Sequence, residues 1–117
     1  MQTIMELSAS DLGRAIDVGK LDPIEILEAY LNAIKSSPEA EQIYTSITKE
    51  RALAEALEAS SRAKSGQRLS LLDGVPISWK DLFDTAGYAT EAGSASLAGR
   101  VPEKDARCLT DATAKGL

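Results

Sequence analysis

From Gln67 onward the sequence stops being periodic, and that change constrains the fold more than any other feature. Before it, apolar residues recur at helical spacing; after it, Gly74, Pro76, Gly87, Gly93, Gly99 and Pro102 interrupt a stretch whose one compact apolar segment is Val75 to Trp79. A chain written this way predicts a helical layer followed by irregular backbone suited to face a ligand.

The helical part carries its own punctuation. Ser8-Ala9-Ser10-Asp11 is a capping-box pattern with Asp in place of Glu, and Leu12, Ile16 and Val18 predict a short helix over 9–18 that Gly19 can close. Asp22-Pro23-Ile24-Glu25 is a stronger start: Asp22 can cap, Pro23 suits the first helical position and Glu25 can reach back. The helix that follows, to about Ser36, places Ile24, Leu27, Leu31 and Ile34 on one face beside Tyr30. Ile43 to Ile47 is rich in β-branched and aromatic residues and predicts a short strand. Lys49 to Lys64, rich in Ala, Leu and Glu and ending near Gly66, predicts a further helix. A last helix is expected to start near Glu103 or Asp105 and run toward Ala114.

At 117 residues the chain has the length of one ordinary domain, with room for a modest core. Its single cysteine, Cys108, cannot form an internal disulfide, and the start around Glu6 lacks a basic n-region, so a reducing cytoplasm is expected. Cys108 itself reads as a small buried or half-buried side chain. No apolar run approaches the ~18 residues that cross a bilayer, so no membrane span is expected. A net charge of −5 with scattered basic residues lacks the footprint of a nucleic-acid binder. The absence of histidine removes Ser-His and Cys-His chemistry and the commonest metal ligand, and neither metal nor cofactor is expected.

Leu72-Asp73-Gly74-Val75-Pro76-Ile77-Ser78-Trp79-Lys80-Asp81 reads as a turn feeding an apolar strand that delivers a lysine and an aspartate at its end. A lysine becomes a usable base where apolar surroundings disfavour its charged form. From the residues alone, a surface ammonium paired with Asp81 or Asp84 is the plainer reading. Those two aspartates can orient the lysine or cap the next turn. Trp79 reads as core rather than a substrate platform.

The run from Leu72 to Ala106 resembles the amidase-signature family: a Leu-x-Gly-x-Pro strand (Leu72, Gly74, Pro76), a Lys-Asp pair (Lys80, Asp81), a downstream Gly87, Thr90 shortly before Gly93-Ser94, and Pro102-x-x-Asp105-Ala106. A weaker resemblance extends over the 23–36 helix and the 43–47 segment. It implies an α/β sandwich with a mixed central sheet, of which residues 1–117 supply the N-terminal helical layer and first strands of a single domain. It also implies a Ser-cis-Ser-Lys triad with Lys80 as catalytic base. In that chemistry the lysine takes a proton, through a bridging serine, from a second serine; the latter attacks an amide carbonyl, and water or another amine releases the acyl group.

The family's bridging and nucleophilic serines belong to a Gly/Ser-rich segment that these 117 residues do not contain. Ser94 and Ser96 imitate it superficially and read as turn residues. Ser78 lies close enough in sequence to Lys80 for a local dyad, the weaker reading. The expected function is part of an amidase acting on a small-molecule carboxamide, inactive alone. The alternatives are the glutaminase subunit of a tRNA-dependent amidotransferase, and a non-catalytic helical interaction module. Self-association through helix faces lacking cover is expected.

Overall fold

The computed structural model describes residues 2–117. It contains five α-helices among those residues: α1 (Ala9–Asp17), α2 (Pro23–Ser36), α3 (Ala40–Ile43), α4 (Lys49–Lys64) and α5 (Arg107–Ala114), with 3-10 turns at Ile4–Glu6 and Ala95–Leu97. The first helix begins where the Ser8 hydroxyl accepts from the Asp11 N–H at 3.2 Å. The second begins where Asp22 Oδ1 accepts from the Ile24 N–H at 2.9 Å, with Pro23 in the first turn, where no N–H is needed. Gly19 and Gly66 follow α1 and α4 with φ of +72° and +70°, left-handed values that end a helix cheaply only at glycine.

The expected strands do not form: among the described residues there is neither strand nor sheet, and the α/β assignment is corrected to a helical layer with a long irregular segment. Ile43 instead closes α3, whose last turn ends as the Tyr44 N–H donates to the Ala40 carbonyl at 2.8 Å. Val75 to Lys80 has no ladder partner. β-branched and aromatic content marks a segment that fits a pleated surface, but a strand exists only with a second strand beside it. The last helix starts at Arg107, two to four residues later than expected, because the Asp105 carboxylate and Ala106 N–H are engaged with other segments.

Leu12 and Ile16 of α1, Ile26 of α2 and Val75 form the buried cluster, with Leu21, Tyr30, Leu72 and Leu117 packed around it. The helices α2 and α4 lie side by side. Asp22 joins them, accepting from the buried Ser60 hydroxyl at 2.7 Å. Burial works to raise the Asp22 pKa, but the Ser60 and Ile24 hydrogen bonds and the nearby Lys64 leave it below the ordinary aspartate value. At Gly13, α1 comes so near the irregular segment after α4 that an added Cβ would run into the Leu71 carbonyl.

The molecule is a slab of 47 × 31 × 20 Å with a radius of gyration of 15.0 Å. A compact chain of this length has about 13 Å. Its accessible surface is 7802 Å², against roughly 6100 Å² for a compact monomer of this mass. The excess includes Ile43, Ile47, Ile77, Leu82 and Phe83, all exposed apolar side chains.

Candidate functional site

One broad cleft, with a cavity volume of about 320 Å³, opens on the slab. Leu27, Tyr30, Leu31 and Ile34 of α2 form one wall, Arg51, Ala52 and Glu55 of α4 another, and the non-helical run Val75 to Asp81 a third. The apolar face of α2 read from the sequence is therefore only partly packed by the chain itself. Its remaining area faces this cleft.

Lys80 lines the cleft and is exposed, as are Ile77 and Ser78. The Lys80 carbonyl accepts from the N–H groups of Leu82 (2.8 Å) and Phe83 (3.1 Å), so the chain turns immediately after the lysine. Trp79 is half-buried and lines the same cleft, its ring meeting Phe83 edge-on with centroids 5.8 Å apart. It is a wall residue rather than a member of the buried cluster.

The two aspartates considered as partners of Lys80 are engaged elsewhere. Asp84 forms a two-bond pair with Arg100, at 2.7 and 2.9 Å, and this guanidinium holds its carboxyl below the ordinary aspartate value. Asp81 accepts from the Glu91 N–H through its carboxylate, at 3.2 Å, and from the Ala92 N–H through its carbonyl, at 2.8 Å. Both hold the loop that follows. Ser94 and Ser96 share a hydrogen bond at 2.8 Å in that loop, in keeping with turn residues. Cys108 is half-buried. Among the described residues no three metal-type ligands gather.

Sequence reasoning missed what fastens this irregular half. Asp73, its side chain 0% exposed, accepts two bonds from Arg62 at 2.8 Å each and one from the Leu69 N–H at 2.9 Å. Burial works to raise its pKa, and the Arg62 and Leu69 hydrogen bonds bring it below the ordinary value. Asp105 accepts two bonds from Arg51 at 2.8 Å each and one from the Ala86 N–H at 2.8 Å, with Arg51 as the first cause of its lowered pKa. In turn, Asp105 holds Arg51 more firmly protonated. The available signal was an acid inside an apolar or Gly/Pro-rich run, with arginines on the helix before it. The pairing, across 54 residues for Arg51–Asp105, has no local sequence mark.

The family model Amidase matches residues 25–117. Among curated proteins, the chain is 38% identical over 103 residues to a mitochondrial glutamyl-tRNA(Gln) amidotransferase subunit of Ornithorhynchus anatinus, covering 88% of the chain and 20% of that relative. It is 37% identical over 116 residues to the corresponding glutamyl-tRNA(Gln) amidotransferase subunit of Chloroflexus aggregans, covering 99% of the chain and 24% of the relative. Against the same subunit from Streptomyces coelicolor the identity is 34% over 106 residues, covering 91% and 21%. The chain thus spans about a fifth to a quarter of the length of these relatives. No helix among the described residues is long and apolar enough to cross a membrane. The family match reaches from α2 through the Lys80 segment to the end of α5, and the chain belongs to the amidase-signature family.

Proposed function

We propose that residues 1–117 are the N-terminal part of a single amidase-signature domain that breaks a carboxamide C–N bond through an acyl-enzyme, with Lys80 as its base. The observation that carries this reading is the state of Lys80: it lines the open cleft while Asp81 and Asp84, the adjacent acids, are bound to other groups. A base must accept a proton from a reacting group, which an ammonium locked in an ion pair does poorly. The bridging and nucleophilic serines are not in the segment described, so the 117-residue chain is expected to be inactive.

The relatives' names favour the glutaminase subunit of an amidotransferase as the specific form of this activity. On that variant, other subunits and a charged tRNA join the small-molecule amide as partners, which revises the expectation of no nucleic acid. The reducing compartment suggested by the single cysteine belongs to the same reading, although one relative is named as mitochondrial.

The test is single-turnover acylation by the full-length protein, comparing wild type with Lys80→Ala and Lys80→Arg, with circular dichroism as the folding check. Both variants should fold and lose at least about a hundredfold in acylation, because neither side chain can serve as a base. An arginine variant within a few-fold of wild type would make Lys80 a fixed charge instead.

A further inference from the structure

The loop after Lys80 contains the one residue among those described that is not glycine and yet has a positive φ. Ala92 sits at φ +51° beside Gly93 at +66°, and the Ser94 N–H closes the turn onto the Glu91 carbonyl at 2.9 Å. Two successive left-handed residues suit Asn-Gly or Gly-Gly, and an alanine at the first place is held there against its preference. Strained backbone persists where surrounding bonds over-determine it.

Asp81 supplies those bonds. Its carboxylate takes the Glu91 N–H and its carbonyl takes the Ala92 N–H, so one residue grips the strained turn by two consecutive amides. The Glu91 carboxylate in turn accepts from the Gly99 N–H, and the Thr90 N–H donates to the Arg100 carbonyl at 2.9 Å. On its other side Asp81 is joined by a single peptide bond to Lys80. The 90–100 loop is thereby fastened to the backbone that carries the lysine, in a segment where Ile77 to Asp81 receives no helix or ladder hydrogen bonds.

We propose that Asp81 is a positioning residue for Lys80: as a hydrogen-bond acceptor for the strained Glu91–Ser94 turn, it fixes the backbone from which the ammonium projects. The proposal rests on Lys80 being the base. A misplacement of about 1 Å can cost about a hundredfold in rate without loss of fold. What matters is the acceptor oxygen rather than the charge, since the group received is a neutral amide N–H.

The experiment uses the full-length protein with four variants: Lys80→Ala, Asp81→Ala, Asp81→Asn and Asp81→Glu. Asparagine keeps an acceptor oxygen in place, whereas glutamate keeps the charge and displaces it. Single-turnover acylation should fall about ten- to a hundredfold in Asp81→Ala and Asp81→Glu with little change in KM, and stay within about threefold of wild type in Asp81→Asn. Amide hydrogen exchange at Glu91, whose N–H the carboxylate accepts, should quicken in the two impaired variants and not in Asp81→Asn. Should Asp81→Ala not fold, Asp81→Glu against Asp81→Asn carries the same comparison. The proposal is overturned if Asp81→Glu acylates within twofold of wild type while exchange at Glu91 quickens, or if Asp81→Asn is as impaired as Asp81→Glu. An active Lys80→Ala would instead overturn the assignment of the base.

Discussion

The two halves of this chain are held by different physics. Up to Lys64 the backbone satisfies itself within helices, and the ion pairs there include short-range surface pairs such as Arg14–Asp11, one turn apart and exposed on both sides. Between Gln67 and Ala106 the backbone has almost no regular partner, and aspartates take its place: Asp73, Asp81, Asp84 and Asp105 each accept from an arginine or a distant backbone N–H. Apart from Asp22, which ties α2 to α4, the acids of the first half decorate the fold, and those of the second hold it. The same residue type thus carries more weight beyond Gly66.

The largest effect should come from Asp73→Ala, which leaves Arg62 and the Leu69 N–H without their buried acceptor and should cost about 4 kcal/mol. Urea unfolding of the dilute 117-residue chain measures it. A cost under about 1 kcal/mol would break the contrast between the halves. Leu12→Ala should cost about 3 kcal/mol through the cavity left between α1 and Val75, showing that the first half depends on apolar packing instead.

Gly74→Ala follows at about 2 kcal/mol. Gly74 has φ +90°, and an added Cβ would lie 2.7 Å from Pro23 Cγ, at the point where the irregular half presses on the start of α2. The same unfolding series reads it, and an unchanged midpoint would mean that this junction gives way easily. A smaller effect is the response to acid. Asp73 and Asp105 are both lowered below 3.8 in the folded chain, so their contribution is complete above that value and is lost as pH falls through the lowered folded values. Exchange protection at Leu69 and Ala86, whose N–H groups they accept, should therefore fail in acid before that of α2. Arg14→Ala, at the exposed pair on α1, should leave the unfolding midpoint unchanged within error.

The same contrast separates what is legible in the sequence from what is not. The limits of α2 and α4 are legible because Asp22-Pro23, Gly66 and the spacing of Leu27, Leu31 and Ile34 act within a few residues of one another. The 43–47 and 75–79 segments have the composition of strands and form none, because composition reports suitability for a sheet and not the presence of a neighbour. For the site, Ile77, Trp79 and Lys80 line one cleft, but Lys80 and Ile77 are exposed, and the apolar enclosure expected of a lysine base is not formed by the described residues; the loop character of Ser94 and Ser96 is legible. The contacts of Asp81 with the 90–92 turn and of Asp105 with Arg51 are not, since each depends on an amide or guanidinium brought near by the chain's path and not by its local pattern.

The clamp between Arg51 and Asp105 has a consequence in time. Translation at roughly 5–20 residues per second separates the two by about 3–11 seconds, because they stand 54 positions apart. During that interval α4 can wind and pair with α2, while the Arg51 fork waits for its carboxylate and the 67–104 stretch has only its nearer fastenings. A nascent chain arrested with Lys104 emerged from the ribosome and Asp105 still inside it should then yield to protease within that stretch while α2 and α4 resist. Lengthening the arrested chain until Leu109 has emerged should close the interval, turning a spatial staple into a clock for when this part of the molecule becomes safe from cleavage.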